Sequence, residues 1–245
     1  MLTDTYKRES DVLDMIIRTY VETAEPVGSR FVARQLGFSS ATIRNVMADL
    51  EEAGLIMHPH TSAGRIPTDK GYRLYIDSLM RKRTVSESIA GTIRQQYEAT
   101  IRSLEDVMER TSRLISSLTN QVGVALYPTT GKVYLDGTSH IIEQPEFKDL
   151  KKLYAIIKYL EEKTNLLNLL SEESFNDGLT VHIGDENHLS YLKECSVVTR
   201  GYRLRGKPAG RLGVIGPKRM VYEKVIPTIE LLGDMVTGIL EELDG

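Results

Sequence analysis

The sequence predicts an α+β protein with an N-terminal winged helix-turn-helix, a long connecting helix and a C-terminal α+β layer domain. Three observations carry this. The first block reads as capped helices followed by a short strand, a turn-rich tongue and a second strand. A single apolar stripe with steps of three or four then runs from Ser86 to about Asn120. Beyond it, helical and strand patterns intermix with at least one hairpin, the mark of a layered α+β domain.

Taken in order, Ser10 is expected to cap a helix whose inward face is Val12, Leu13, Ile16, Ile17, Tyr20 and Val21, broken by Pro26 and Gly28. Ser29 is expected to cap a short second helix with Phe31, Val32 and Leu36, closed by Gly37. Ser39 or Ser40 caps a third, with Ile43, Met47 and Leu50 inward and Gly54 at its end. Leu55 to Met57 reads as a strand, His58 to Arg65 as a turn-rich tongue, and Ile66 as the start of a return strand. Thr68 caps a helix beginning at Asp69. The connecting helix carries Ile89, Ile93, Tyr97, Ile101, Leu104, Met108, Thr111, Ile115 and Leu118 on one side. Strands are expected at 121–127, 132–136 and 179–183, and helices at 150–170, 188–194 and 222–243. Two further strands, 196–204 and 211–215, flank the turn RGKPAG. The boundaries that follow are 1–83 for the winged helix-turn-helix, 84–120 for the linker helix and 121–245 for the last domain.

The totals set limits. With 245 residues, 41% hydrophobic and 27% charged, the chain has ordinary globular composition. A formal net charge of −3 rules out a polycation, so any nucleic-acid reading rests on local charge. The one cysteine, Cys195, leaves no internal disulfide and fits a reducing compartment. The first residues lack the apolar stretch of a secretory signal, and no apolar run reaches the length that spans a bilayer. A soluble cytoplasmic protein with no membrane partner is expected.

The local chemistry of the first block points to double-stranded DNA. A helix fits the major groove, and its N-terminal residues meet base edges. With Ile43, Met47 and Leu50 inward, the opposite face offers Ser40, Thr42, Arg44 and Asn45. Arginine can donate two hydrogen bonds to guanine, and asparagine can pair twice with adenine. From His58 to Arg83 there are six basic and two acidic residues, against three basic and six acidic from Met1 to Val27, so positive charge lies on the wing side. The tongue and the following helix offer His60, Thr61, Ser62, Arg65, Lys70 and Arg73 to the backbone or the minor groove. Two plainer readings stand beside this: winged helices also serve as protein-interaction modules, and Arg44 and Asn45 also suit a solvated helix face. His58 and His60 lack a third ligand at metal spacing, so no metal is expected.

The stretches YVETAEPVGSR, SSATIRNVMADLEEAGLIMHPHTSAGRIPTDKGYRLYID, VYLDGTS, EQPEF and GRLGVIGPKRMVYEKVIP resemble the HrcA family of bacterial heat-inducible transcription repressors. The resemblance covers both ends of the chain and is dense in the first block. It implies a homodimer on an inverted-repeat operator before chaperone genes, released on heat shock as part of the stress response. It also implies a GroEL-type chaperonin that keeps the repressor active. Members of that family usually carry more chain between the positions of Tyr127–Pro128 and Lys132, including an inserted dimerisation subdomain. Here only Thr129, Thr130 and Gly131 bridge the gap, so the last domain is expected to be shortened near 128–132.

Other chemistry is weak. Gly201, Gly206 and Lys207 imitate a phosphate loop, but Pro208 stands where Ser or Thr would hold magnesium, and the setting is a hairpin. Gly210, Gly213 and Gly216 mimic a dinucleotide motif only loosely. Cys195 reads as a buried structural thiol and His182 as a packed or edge strand residue. No catalytic constellation emerges, so no enzyme and no cofactor are expected. The alternation of the last domain and its GRLGVIGP run resemble the GAF-like domains of other regulators, which can bind small molecules. A ligand-sensing winged-helix regulator is therefore the alternative function. The linker helix fits either packing against that domain or a dimer seam between two DNA-reading heads.

Overall fold

A computed structural model describes residues 2–60, 63–81, 87–97, 103–127, 131–171 and 178–244. The chain divides into two compact units. One comprises residues 1–82 with the short segment Lys218–Val221; the other comprises 83–217 and 222–245.

In the first unit, helices α1 (Leu2–Thr23), α2 (Ser29–Leu36) and α3 (Ser40–Glu52) precede the strand pair β1 (Ile56–Met57) and β2 (Ile66–Pro67), and α4 (Asp69–Met80) closes the unit. Val12, Leu13, Ile16 and Ile17 of α1 pack with Val32, Ile43, Val46, Met47, Leu50, Ile56, Tyr72, Tyr75 and Ile76 in one core. Burial of these faces is what holds three short helices together, since helices this short are marginal alone. Ser10 is not a cap. Helix α1 starts eight residues earlier and runs through it. The added turns include the exposed residues Tyr6 and Lys7, so they lack the apolar stripe that marks a buried helix. The second cap also moves by one residue. Gly28 takes the N-cap position of α2 in extended conformation, and Ser29 is the first helical residue. Thr68 caps α4 as expected, its Oγ1 accepting from the Gly71 N–H at 3.1 Å.

The second unit holds a five-stranded, fully antiparallel sheet. Its strands are β3 (Val122–Tyr127), β4 (Lys132–Asp136), β5 (Leu179–Ile183), β6 (Cys195–Leu204) and β7 (Lys207–Pro217), in the order β4-β3-β7-β6-β5. Helices α5 (Glu87–Tyr97), α6 (Leu104–Thr119), α7 (Ser139–Ile142), α8 (Leu150–Glu161), α9 (Lys163–Ser171) and α10 (Tyr222–Asp244) complete it. Helices α6 and α10 pack on one face of the sheet, chiefly against β3 and β6. On the other face Val122, Val124, Leu126, Cys195, Val197 and Ile215 share a core with Ile156 and Leu160 of α8 and Leu166 and Leu170 of α9. This is the α+β layer read from the sequence. Cys195 is fully buried, and His182 lies half-buried on the edge strand β5.

Four expectations change. The single connecting helix is interrupted. Ser103 is extended (φ −156°, ψ 162°), and its Oγ accepts from the Asp106 N–H at 3.2 Å, so a new helix begins there. Residues 98–102, within the expected run, and 82–86, where it begins, lie outside the described residues. The apolar steps continue across Ser103 because both helices bury one side, while the cap and the acidic first turn (Glu105, Asp106) set a start signal inside the stripe. The 150–170 helix is two helices, parted at Glu162 in extended conformation. The 188–194 helix is one 3-10 turn, Ser190–Leu192. The hairpin turn is shorter than RGKPAG. Only Arg205 (φ 53°) and Gly206 (φ 69°) join β6 to β7, the paired positive φ of a two-residue hairpin turn.

Candidate nucleic-acid interface

The third helix is built to present its N-terminus. Ser39 is extended, and its Oγ accepts from the Thr42 N–H at 3.0 Å and lies 2.8 Å from the Thr42 hydroxyl. This satisfies one orphan donor and fixes the side chain of Thr42. Ile43, Val46, Met47 and Leu50 are buried, so the helix cannot rotate about its axis. Arg44 and Asn45 then stand exposed side by side on the opposite face. The Arg44 Nε donates to the Ser40 carbonyl at 3.2 Å, which leaves its terminal nitrogens to a ligand. Ser40, the first helical residue, and Thr42 are half-buried.

The wing follows. Ile56 pairs with Pro67 and Met57 with Ile66, which makes a short antiparallel ladder. His60 is exposed at the tip, and its carbonyl accepts from the Ala63 N–H at 2.9 Å. Thr61 and Ser62 lie outside the described residues. The remaining three cations are each engaged within the unit. The Arg65 Nη2 lies 2.8 Å from Glu51 Oε2, at the end of α3. Its Nη1 is 2.7 Å from His58 Nδ1. That same Nδ1 is 3.0 Å from the Ala63 carbonyl, and the two contacts need opposite tautomers, because guanidinium only donates and a carbonyl only accepts. The Lys70 Nζ donates to the Ala53 carbonyl at 2.8 Å, a cation at the negative end of α3. Arg73 pairs with Asp77 one turn on, at 3.5 Å.

Between the start of α2, the exposed side of α3 and the wing lies a notch of about 410 Å3. Ser29, Arg30, Arg44, His58 and Arg65 line it. Exposed Arg30 is a cation that the sequence reading did not single out. Its signal was there: a basic residue at the start of a helix whose cap has no side-chain hydrogen bond. Glu51 and His58 were missed as partners of Arg65 because nothing in their spacing shows that the wing folds back on α3. Two exposed arginines, Arg30 and Arg44, at a concave surface beside a capped helix N-terminus suit a polyanion whose phosphates lie along the notch.

Comparison with known proteins agrees with this chemistry. A family model described as "Winged helix-turn-helix transcription repressor, HrcA DNA-binding" matches residues 1–80, and "HrcA protein C terminal domain" matches 129–226. The heat-inducible transcription repressor HrcA of Brevibacillus brevis is 32% identical over 98% of this chain and 98% of its own length. The chain belongs to the HrcA family.

Other HrcA repressors agree. That of Pelotomaculum thermopropionicum is 31% identical over 96% of this chain and 97% of its own, and that of Geobacter sulfurreducens 31% over 98% and 99%. HrcA family members are heat-inducible transcription repressors with a winged-helix DNA-binding domain, and this chain is one of them. A crystal structure of a hypothetical protein superposes with a TM-score of 0.80 at 20% identity, over 96% of this chain and 98% of the other, which shows the shared fold. The alignment to the Brevibacillus repressor runs over 340 positions, whereas this chain has 245 residues, so at least 95 positions of that alignment have no counterpart here.

Proposed function

We propose that this HrcA-family chain represses chaperone genes by binding, as a homodimer, an inverted-repeat operator, and that heat shock releases it. Residues Arg44 and Asn45 read bases, with Thr42 and Ser40 assisting at the helix start. His60, Thr61, Ser62, Lys70 and Arg73 serve the backbone or the minor groove, with Arg30 joining them, while Arg65 of the same expected set is tied to Glu51. The observation that carries the reading is the pair Arg44–Asn45, exposed beside a capped N-terminus on a helix whose other side is buried. Repression is steric: a bound dimer blocks polymerase. A GroEL-type chaperonin in the cytoplasm restores the active form.

We further propose that the relatives' extra chain falls at the β3–β4 connection. Tyr127 pairs with Lys132 across that join, so the sheet closes over a short hairpin without an insertion. The family match to the C-terminal domain begins at residue 129, which is in keeping with the same place. For the ligand-sensing alternative, the cavity lined by Leu169, His182, Asn187 and Thr199 holds about 50 Å3, against the ~300 Å3 or more typical of metabolite sites. Nothing there favours that reading.

Selection of duplexes from a random-sequence library by the purified chain tests the proposal. Enriched sequences with two inverted half-sites about one helical turn apart, or a multiple of it, support it. Enrichment of single, unpaired sites contradicts the dimer. No enrichment at all contradicts sequence reading.

A further inference from the structure

Arg65 stands at a junction of three segments. Its backbone forms an antiparallel bridge with Val27, in the connection between α1 and α2. The Val27 N–H donates to the Arg65 carbonyl at 2.8 Å, and the Arg65 N–H donates to the Val27 carbonyl at 2.9 Å. This bridge demands a glycine next door. A Cβ on Gly64 would lie 2.5 Å from the carbonyl carbon and oxygen of Val27, which is backbone and cannot swing away. The side chain reaches the other way, to Glu51 in the last turn of α3 and to His58 at the root of the wing.

The placement of Glu51 is otherwise unfavourable. A carboxylate in the last turn of a helix opposes the helix dipole. In a unit that binds DNA it also repels phosphate. Its partner resolves both. Arg65 is the more buried of the two, with 18% of its side chain exposed against 34% for Glu51. A guanidinium so enclosed and already paired is poorly placed to meet a phosphate in solvent.

We propose that Arg65 is a positioning residue that latches the wing to the C-terminal end of the recognition helix through Glu51, and so sets the angle between the two DNA-reading elements. This rests on the DNA-binding reading above, but the latch itself exists in the free protein. It accounts for the conjunction of an unavoidable glycine, a double backbone bond and a paired cation at one point of the wing.

The test uses the full chain, the duplex it enriches from a random library and a scrambled duplex of equal length. Plain electrostatics says that Glu51→Gln, which removes a negative charge, tightens binding to both. The latch gives the opposite sign on the enriched duplex: roughly tenfold weaker binding, with no loss on the scrambled one. Arg65→Met should show the same loss while the slope of log affinity against log salt stays at the wild-type value. Exchanging the pair, Glu51→Arg with Arg65→Glu, should recover most of the discrimination. Amide hydrogen exchange of the free chain gives a readout independent of DNA. Both single variants should speed exchange at the Val27 and Arg65 N–H groups at least tenfold, with the core amides of α3 unchanged to show that the unit is folded. Tighter binding by Glu51→Gln, a slope reduced by about 0.9 in Arg65→Met, or unaltered exchange at Val27 and Arg65 would overturn the latch. A wild-type chain that binds both duplexes equally would instead defeat the DNA reading, while the exchange data would still decide the latch.

Discussion

Arg44 shows how much a single side chain can be asked to do. Its Nε is tied to the carbonyl of its own helix, so in the proposed role the fork of terminal nitrogens is aimed before DNA arrives. Such pre-orientation lowers the entropy lost on binding. Arg44→Ala is expected to cost about 1–3 kcal/mol on the preferred duplex and to relax preference at one base position. Equal losses on preferred and scrambled DNA would remove Arg44 from base reading. Ser39 acts on folding instead. Ser39→Ala loses the acceptor for the Thr42 N–H, and a fall in unfolding free energy of about 1 kcal/mol is expected from denaturant titration. A third residue sets a limit at high pH. Burial pushes the Tyr97 hydroxyl up to about 12, only partly offset by its hydrogen bond with Thr111. The folded state therefore keeps a proton that the unfolded state releases near pH 10. Stability is fully present below pH 10 and falls as pH rises towards 12, by at most about 3 kcal/mol. Buried Tyr202 acts in the same direction. Tyr97→Phe should flatten this decline in melts at pH 9 to 12; an unchanged decline would assign it elsewhere.

At the scale of elements, what could be read from the sequence depended on whether the signal was local. The starts of the capped helices α3 and α4 and both ends of the strands β4 and β5 were legible to within a residue, because a cap or an alternation is written into adjacent positions; the expected α4 ran on to Arg83 but stops at Met80. Helix α3 announces itself through Ser39 followed by Ile43, Met47 and Leu50. The start of α1 was not legible, because its first turns have no apolar stripe. The break at Ser103 was hidden for the opposite reason, since burial keeps the apolar steps in phase across two helices. At the β6–β7 turn, Pro208 and the glycines suggested a long loop. Instead Pro208 lies inside β7, beside a turn made by Arg205 and Gly206 alone. That turn yields its own test. A Cβ on Gly206 meets nothing within 4 Å, so Gly206→Ala isolates the strain of positive φ. A loss of about 1 kcal/mol is expected in the same titration, and no loss would mean that the turn readjusts. The candidate site divided likewise. Exposed Arg44 and Asn45 were readable from helical phase, whereas the engagement of Arg65, Lys70 and Arg73 depends on which segments fold together.

The whole molecule joins a winged-helix DNA-binding unit to an open five-stranded antiparallel sheet with helices on both faces, in 95 fewer residues than the 340 positions over which it aligns to its Brevibacillus relative. On either side of the proposed join, β3 and β4 pair in register up to Tyr127 and Lys132. The proposed inverted-repeat operator calls for a second copy of the chain, since two half-sites need two heads. The most direct measurement is fluorescence anisotropy of the full chain on an enriched inverted-repeat duplex, on the same duplex with one half-site scrambled, and on a fully scrambled duplex, at two salt concentrations. Tight binding that needs both half-sites and keeps its preference at the higher salt is the expected result. Equal binding to all three duplexes that vanishes with salt would reduce the interaction to phosphate attraction and contradict a dimeric sequence reader.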